Sequence, residues 1–369
     1  MKISIITCHF VHNYGAVLQA YALSHKIGQI APDTDVKIID YRPEYLAASH
    51  RVFHVGAEKY RRNIILKMMY IVRTFPFRYT SYRNFNRFVK TELNLTDRRY
   101  TTYEELCENP PESDICVCGS DQIWNYRIDN GKDPSFYLRF AENAKKVAYA
   151  PSFGVSDISD DECEMIRPMI KDFGALSVRE DTGAEILERI GYHGVPVVTD
   201  PVFLLDSKEW DELAKPLNIG CRYVFIYKIT RNTALYDFAR KIAEKIGAKT
   251  IEVGFSAKCD GVVDKYLCGV SPNEFLTYIK NAEYVVTDSF HGTSFSIIYG
   301  KPFTVFDRGE LNSRITSLLT LTGLSDRFYS PDRSAEDCYD SKIDFASAKA
   351  KLNENVSKST DYLKECIRL

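Results

Sequence analysis

The chain has 369 residues, 45% of them apolar and 27% charged, with 48 Lys and Arg against 50 Asp and Glu for a net charge of −2. That composition excludes a disordered, collagen-like or coiled-coil chain, and the balanced charge argues against nucleic acid as the main partner. Length sets an expectation of two domains.

In chain order, short β-branched runs alternate with segments of helical period, the pattern of parallel sheets covered by helices. Lys2–Thr7 reads as a strand, followed by a loop through Gly15, an amphipathic helix Val17–Ile27 and a strand Val36–Ile39. Further strands are expected at Ile115–Val117, Val147–Tyr149, Ala175–Val178 and Val195–Val198. Helices are expected at Asp160–Lys171, where Pro168 should kink or break the last turn, and at Asp181–Ile190. After Asp200-Pro201-Val202-Phe203-Leu204-Leu205 a boundary falls near Asp206, and the pattern restarts. Tyr223–Tyr227, Thr250–Val253, Tyr284–Thr287 and Phe303–Phe306 read as strands; Ala234–Ile246, Asn273–Lys280 and Thr293–Tyr299 read as helices. A long polar helix, Ile343–Ile367, ends the chain. The expected organisation is an N-terminal lobe over 1–205, a C-terminal lobe over 206–342, both Rossmann-like and doubly wound, and a helix over 343–369 packing back across them.

The apolar run after Lys2 is too short for a signal-peptide core, and the stretch Ile64 to Val72, interrupted by Lys67, covers less than half a membrane span. Ten cysteines, scattered singly apart from Cys116 and Cys118, read as reduced and mostly buried, in keeping with a cytoplasmic protein.

One segment departs from the alternation. Between Arg51 and Lys90 ten Lys or Arg residues face Glu58 alone, interleaved with aromatics, and Ile64, Ile65, Met68, Met69 and Val72 share one helical face. It reads either as a helical insertion (about 50–90) packed on its own lobe or as a basic aromatic surface. That surface would suit anionic lipid at the inner membrane face, or a phosphate-bearing acceptor. Single-stranded nucleic acid would leave a similar pattern, which the rest of the chain does not support.

Chemistry is concentrated where strands end. The loop His9–Ala16, with Asn13, Tyr14 and Gly15, opens a helix whose free N–H groups could meet an anion, although many such loops merely turn. Gly119-Ser120-Asp121-Gln122-Ile123-Trp124-Asn125 could be a sugar site, Trp124 stacking on a pyranose while Asp121, Gln122 and Asn125 bind hydroxyls; the alternative is a capped turn over a half-buried Trp. Arg179, at a strand end before a helix, suits a carboxylate or phosphate, or else a salt bridge to Glu180 or Asp181. His291, within Thr287-Asp288-Ser289-Phe290-His291-Gly292-Thr293, sits between hydroxyls and an Asp at a strand-to-helix turn and suits general acid–base work. Arg308 and Arg314 follow the next strand as further cations. His50 with His54, and His9 with His12, have no third ligand nearby, so no metal is expected.

Asn13-Tyr14-Gly15-Ala16-Val17-Leu18-Gln19-Ala20-Tyr21-Ala22-Leu23 resembles the opening signature of the polysaccharide pyruvyl transferase family. So do Gly119–Trp124, Tyr149-Ala150-Pro151-Ser152-Phe153-Gly154, Ser177-Val178-Arg179-Glu180, Asp200–Leu205 and Asp288–Gly292, in the family's order between residues 3 and 320. The resemblance implies a two-lobed GT-B-like α/β fold and transfer of pyruvyl from phosphoenolpyruvate to a hexose of a cell-surface polysaccharide or its lipid-linked precursor, usually as a cyclic ketal, with no cofactor. The family's S-V-R arginine corresponds to Arg179. Its R-L-H motif corresponds to Ser289-Phe290-His291, which keeps only the His, and the Lys of its Y-D-P-K motif is missing from Phe306-Asp307-Arg308-Gly309. On this footing His291 and Asp121 are the expected catalytic pair. Arg179, Ser289, Gly292, Arg308, Arg314 and Ser152 are expected on phosphoenolpyruvate, held on the C-terminal lobe side. Asn13, Tyr14, Gly15, Gln19, Gln122, Trp124 and Asn125 are expected on the acceptor. The alternatives are a GT-B glycosyltransferase using a nucleotide sugar, or a non-catalytic glycan-pathway binding protein.

Overall fold

The computed structural model describes residues 1–307 and 313–368. Its first sheet holds β1 (Lys2–Ile6), β2 (Asp35–Tyr41), β3 (Leu95–Tyr100), β4 (Ile115–Cys118) and β5 (Lys145–Ala148), in the spatial order β3-β2-β1-β4-β5. The second holds β6 (Tyr223–Tyr227), β7 (Lys249–Gly254), β8 (Lys265–Cys268), β9 (Tyr284–Thr287) and β10 (Phe303–Val305), in the order β10-β9-β6-β7-β8. All the pairings are parallel. The two α/β lobes therefore repeat one doubly wound topology. The central strands explain why: Tyr-Val-Phe-Ile-Tyr in β6 and Tyr-Val-Val-Thr in β9 are buried at every position, as strands covered on both faces must be.

In each sheet the strand order reverses beside the first strand, between β1 and β4 and again between β6 and β9. Ligands of open parallel sheets bind beyond the carboxyl ends of strands at such reversal points. The residues after Ile6, Cys118, Tyr227 and Thr287 are thereby singled out by topology alone.

The lobes share one continuous apolar core that includes Ile5, Phe203, Phe275 and Leu363. Tyr14, fully buried, is stacked on Phe275 of the second lobe at 4.4 Å between ring centres, and its hydroxyl donates to Val270 O at 3.0 Å. The C-terminal helix Phe345–Cys366 returns to the first lobe, where Tyr362 Oη donates to Ala148 O and Ser359 Oγ accepts from Thr199 N.

Some expected elements take a different form. Ala175–Val178 and Val195–Val198 make only single bridges, Val147 with Ala175 and Val178 with Val197. Pro196 has no N–H to continue a ladder, and Val178 uses its carbonyl instead. Pro168 lies inside the helix Asp160–Ile170 rather than ending it at once. The expected helix Thr293–Tyr299 begins three residues earlier, at Phe290, because Ser289 caps it. The basic segment contains a 29-residue helix, Ile64–Glu92, that passes through Pro76.

Tyr14 offers a check on the lobe junction. Tyr14→Ala is expected to lower unfolding free energy by about 3–5 kcal/mol, as for other buried aromatics, and Tyr14→Phe by only about 1 kcal/mol through the lost hydrogen bond. Denaturant unfolding of the two variants measures this, and equal stabilities would remove the stacked ring from the junction.

Candidate active site

Side chains from both lobes meet at the junction. In the second lobe, Asp288 follows β9 and its carboxylate accepts from Ile229 N at 2.7 Å and Thr230 N at 2.9 Å, tying the ends of β6 and β9 together. Thr287 Oγ1 donates to Tyr227 O and accepts from Ser289 N. A Cβ on Gly292 would overlap Thr287 Oγ1, so this turn requires glycine. Ser289 Oγ then accepts from Gly292 N and starts the helix Phe290–Tyr299, whose first turn carries His291.

In the first lobe, Arg179 lies before the helix Asp181–Ile190. Its Nη1 donates to Asp200 Oδ2 at 2.6 Å and to Ser120 Oγ at 3.4 Å, while Nε stands 3.8 Å from Glu180 Oε2. Asp200 is fixed by its Oδ1, which accepts from Val202 N at 3.1 Å and starts the turn Pro201–Leu204. His291 Nε2 approaches the same Asp200 Oδ2 at 3.6 Å, just beyond hydrogen-bond length. Arg179 and His291 are each 6% exposed, so a guanidinium and an imidazole converge on one carboxylate in a desolvated space.

Burial alone would raise the Asp200 carboxyl, but His291 and Arg179 pull it well below the usual carboxylate range. Burial also works against the Arg179 charge, yet Asp200, Glu180 and Asp121 outweigh it and hold the guanidinium protonated. Among the described residues, Arg179 Nε and Nη2 and His291 Nε2 have no hydrogen-bond partner. Two guanidiniums lie against the Phe290 ring, that of Arg179 at 5.2 Å and that of Arg314 at 5.7 Å from its centre. Both arginines and Phe290 line a cavity of about 150 Å³, together with Asp181, Asp200 and Ser317.

Gly15 completes the junction from the first lobe. A Cβ on it would overlap the ring atoms of His291, so the glycine allows the loop after β1 to pass against the imidazole. Asp121 follows β4 in a left-handed conformation, φ 87°, with its carboxylate accepting from Gln122 N at 2.8 Å. Such a backbone is costly for a residue with a side chain and is held here by the pairing of Asp121 with Pro151.

The structure thus brings Gly15, Asp121, Arg179 and His291 together, with Arg314 beside Phe290. Other expected site residues are engaged elsewhere. Trp124 is corrected from a sugar platform to a core residue: it is fully buried, stacked on Tyr137 at 5.6 Å and bonded through Nε1 to Phe136 O. Asn125 is buried and holds its own turn by accepting from Arg127 N. Tyr14 serves the lobe junction rather than an acceptor. Gln19, also fully buried, spends its amide on Thr7 Oγ1 and Ala16 O. Asn13 caps the helix Tyr14–Ile30. Gln122, half-buried, lies against Gly154. Ser152 donates to Glu180 Oε1, and Ser289 and Gly292 form the turn before His291. Arg308 lies outside the described residues. The salt bridge foreseen for Arg179 exists, but its main partner is Asp200, a residue to which the sequence reading gave no role. In the sequence it is marked only as the first residue of the Asp200–Leu205 block.

The histidine pairs are also placed. His9 Nε2 meets Asp40 Oδ1 at 3.1 Å, and the His12 and His50 rings lie 4.8 Å apart. Burial first, then neighbouring positive charge from His50 and Arg78, pushes His12 down to about 3; burial and Arg78 push His50 down to about 4.

A family model described as polysaccharide pyruvyl transferase matches residues 13–310. No curated protein matches the chain. Among solved structures, a putative UDP-N-acetylglucosamine 2-epimerase from Listeria monocytogenes aligns over 96% of this chain and 90% of its own, at 8% identity and a TM-score of 0.50. UGT89C1 of Arabidopsis thaliana aligns over 99% and 98%, at 11% identity and a TM-score of 0.50. At such identities the likeness is one of fold, and it places the two lobes in the GT-B architecture.

Two predictions follow from this geometry. Gly15→Ala should displace the His291 ring and lower kcat by about 10²-fold, the cost of a misplacement near 1 Å, with far-UV circular dichroism unchanged; wild-type kcat would show that the contact has no bearing on the reaction. The second concerns His12 and His50. Their folded values lie below the ordinary histidine value near 6.5, so their contribution to stability is complete above that pH. It is lost as pH falls toward 4, because the unfolded chain takes up protons that the folded one refuses. Urea midpoints between pH 7 and pH 4 should fall, and more shallowly in His50→Gln; parallel curves would refute the assignment.

Proposed function

The chain belongs to the polysaccharide pyruvyl transferase family, and we propose that it moves the pyruvyl group of phosphoenolpyruvate onto two hydroxyls of a hexose, as a cyclic ketal. The acceptor in this reading is a cell-surface polysaccharide or its lipid-linked precursor. The observation that carries the proposal is the convergence of Arg179 and His291, from opposite lobes, on Asp200.

The chemistry needs a proton at the enol carbon and a cationic setting for a small trianion. Protonation of C3 leaves positive charge shared between C2 and its oxygen, and a sugar hydroxyl adds to C2 and gives up its proton. The bond from C2 to the phosphate oxygen then breaks, phosphate leaves with the bonding pair, and the second hydroxyl adds to C2. Of the two hydroxyl protons, one balances the proton placed on C3 and the other ends on phosphate.

His291 is the proposed acid, with Asp200 orienting its ring and balancing the charge of its doubly protonated form. Asp121 is proposed to orient or deprotonate the incoming hydroxyl. Three carboxylates act on the single guanidinium of Arg179, so anion binding in this scheme also draws on Arg314 and on a protonated His291. Arg179 still offers Nε and Nη2, which have no hydrogen-bond partner among the described residues. The cavity lined by Arg179, Arg314 and Phe290, about 150 Å³, is smaller than the pockets of about 300–1,000 Å³ that bury drug-sized ligands, and in this reading it suits a three-carbon phosphate better than a nucleotide sugar.

Phosphate release from phosphoenolpyruvate, measured against a panel of nitrophenyl and lipid-linked hexosides with the product checked for a pyruvyl mass gain, tests the proposal. His291→Ala should lower kcat by about 10²–10⁴-fold. Arg179→Ala should raise the KM for phosphoenolpyruvate by about tenfold or more. Undiminished turnover in the first variant would remove His291 from the chemistry, and an unchanged KM in the second would move the donor elsewhere.

A further inference from the structure

Helix Ile64–Glu92 changes character along its length. In its second half Ser81, Phe85, Phe88 and Val89 are buried, and Asn84 Nδ2 donates to Gly269 O of the second lobe at 2.8 Å. In its first half Ile64, Ile65, Met68, Met69 and Val72 are 69, 67, 55, 64 and 69% exposed. At 3.6 residues per turn these five, with Phe75 and Tyr79, fall within an arc of about 140°. Phe53, 65% exposed, stacks on Phe75 at 5.9 Å and widens the stripe. Apolar side chains that the fold leaves in one contiguous band mark a surface meant to be covered.

The borders of the band are cationic. By the same helical spacing Arg73 lies along one edge and Lys67 and Arg78 along the other, while Lys59, Arg61 and Arg62 stand at its N-terminal foot. Over residues 51–90 ten Lys or Arg accompany Glu58 alone, and Glu58 is paired with Arg62. A groove of about 1090 Å³ beside the helix extends this charge, with Arg73 and Arg78 on one wall and Lys258 of the second lobe on the other. Asp260, which also lines it, is engaged by Lys228 at 2.9 Å.

We propose that this helical arm docks the protein on an anionic lipid surface, its apolar stripe at the boundary of headgroups and acyl chains and its bordering cations on lipid phosphates. Charge complementarity selects that occupant. A second copy of the chain would meet the stripe through a two-fold contact, which brings the same patch to itself and faces like charge with like. Nucleic acid would use the aromatics but leaves exposed isoleucines and methionines without a role. Among the described residues no helix is long and apolar enough to cross a membrane, so the arm lies in the interface. The proposal does not depend on which reaction the junction performs.

Cosedimentation of the full chain with vesicles tests it, using phosphatidylcholine alone and phosphatidylcholine with about one-third phosphatidylglycerol. Binding to the anionic vesicles should be stronger by at least about tenfold and should weaken as salt is added. The double substitution Ile65→Glu, Met69→Glu should abolish binding with an unchanged melting temperature, because both side chains are exposed. No binding to anionic vesicles, or equal binding to neutral ones, overturns the proposal from the wild-type protein alone. Retained binding in the double variant overturns it as well. So does a solution dimer of the wild type that the same substitutions convert to monomer, since a second copy would then be what covers the stripe.

Discussion

A carboxylate with almost no exposed surface, Asp200, holds a guanidinium from its own lobe and faces an imidazole from the other. Taking such charges out of water costs several kcal/mol each, and only close, well-directed partners offset it. Arg179 has those partners in Asp200 at 2.6 Å, Glu180 at 3.8 Å and the face of Phe290. Glu180 is held in turn, because its Oε1 accepts from Ser152 Oγ, Phe153 N and Gly154 N. The cluster therefore constrains where the strand ends of both lobes can stand. Its burial, which weakens its worth as a source of stability, is what makes its charges strong where a substrate would meet them.

That constraint depends on the lobes keeping their relation. The Tyr14 stack on Phe275, the shared core and the helix Phe345–Cys366 supply it from three sides. Gly15, next to Tyr14, lies against His291. One turn of chain thus joins the lobes with its aromatic ring and leaves room for the catalytic candidate with its missing side chain. A larger residue at position 15, or a smaller one at 14, disturbs the same geometry by opposite routes.

The sequence disclosed elements better than it disclosed the fates of polar side chains. Tyr223–Tyr227 and Tyr284–Thr287 were legible to the residue because each is a short apolar run bounded by turn signals, and burial on both faces leaves no other pattern. The junction was legible as a set of strand ends, since topology sends Gly15, Asp121 and His291 to the reversal points. Trp124 was misread because Asp, Gln and Asn around it resemble a sugar site. The segment Pro134–Tyr137 folds onto the indole instead, and nothing within a few residues of Trp124 announces that. Asp200 is harder to see for the reverse reason: the short-range bond of its side chain is the cap to Val202, whereas its pairing with Arg179 and His291 spans 21 and 91 positions.

The long helix joins the exposed apolar stripe to the lobe junction. Its periodicity shows an apolar face, but periodicity cannot say what covers a face: the structure leaves that face bare in the first half of the helix and packs a different side, through Phe85, Phe88 and Val89, in the second. The packed half leads to the junction: Phe85 contacts Tyr14 at 5.2 Å and Phe255 of the second lobe at 5.6 Å. At Gly269 a Cβ would overlap Ser81 of the helix, so arm and second lobe meet without slack. An element anchored to both lobes through Phe85 and Asn84 cannot tilt without moving against Tyr14, the ring next to the glycine that faces His291. Whatever surface the bare half rests on therefore fixes the orientation of the cleft to that surface, and the fold needs no separate device to aim it.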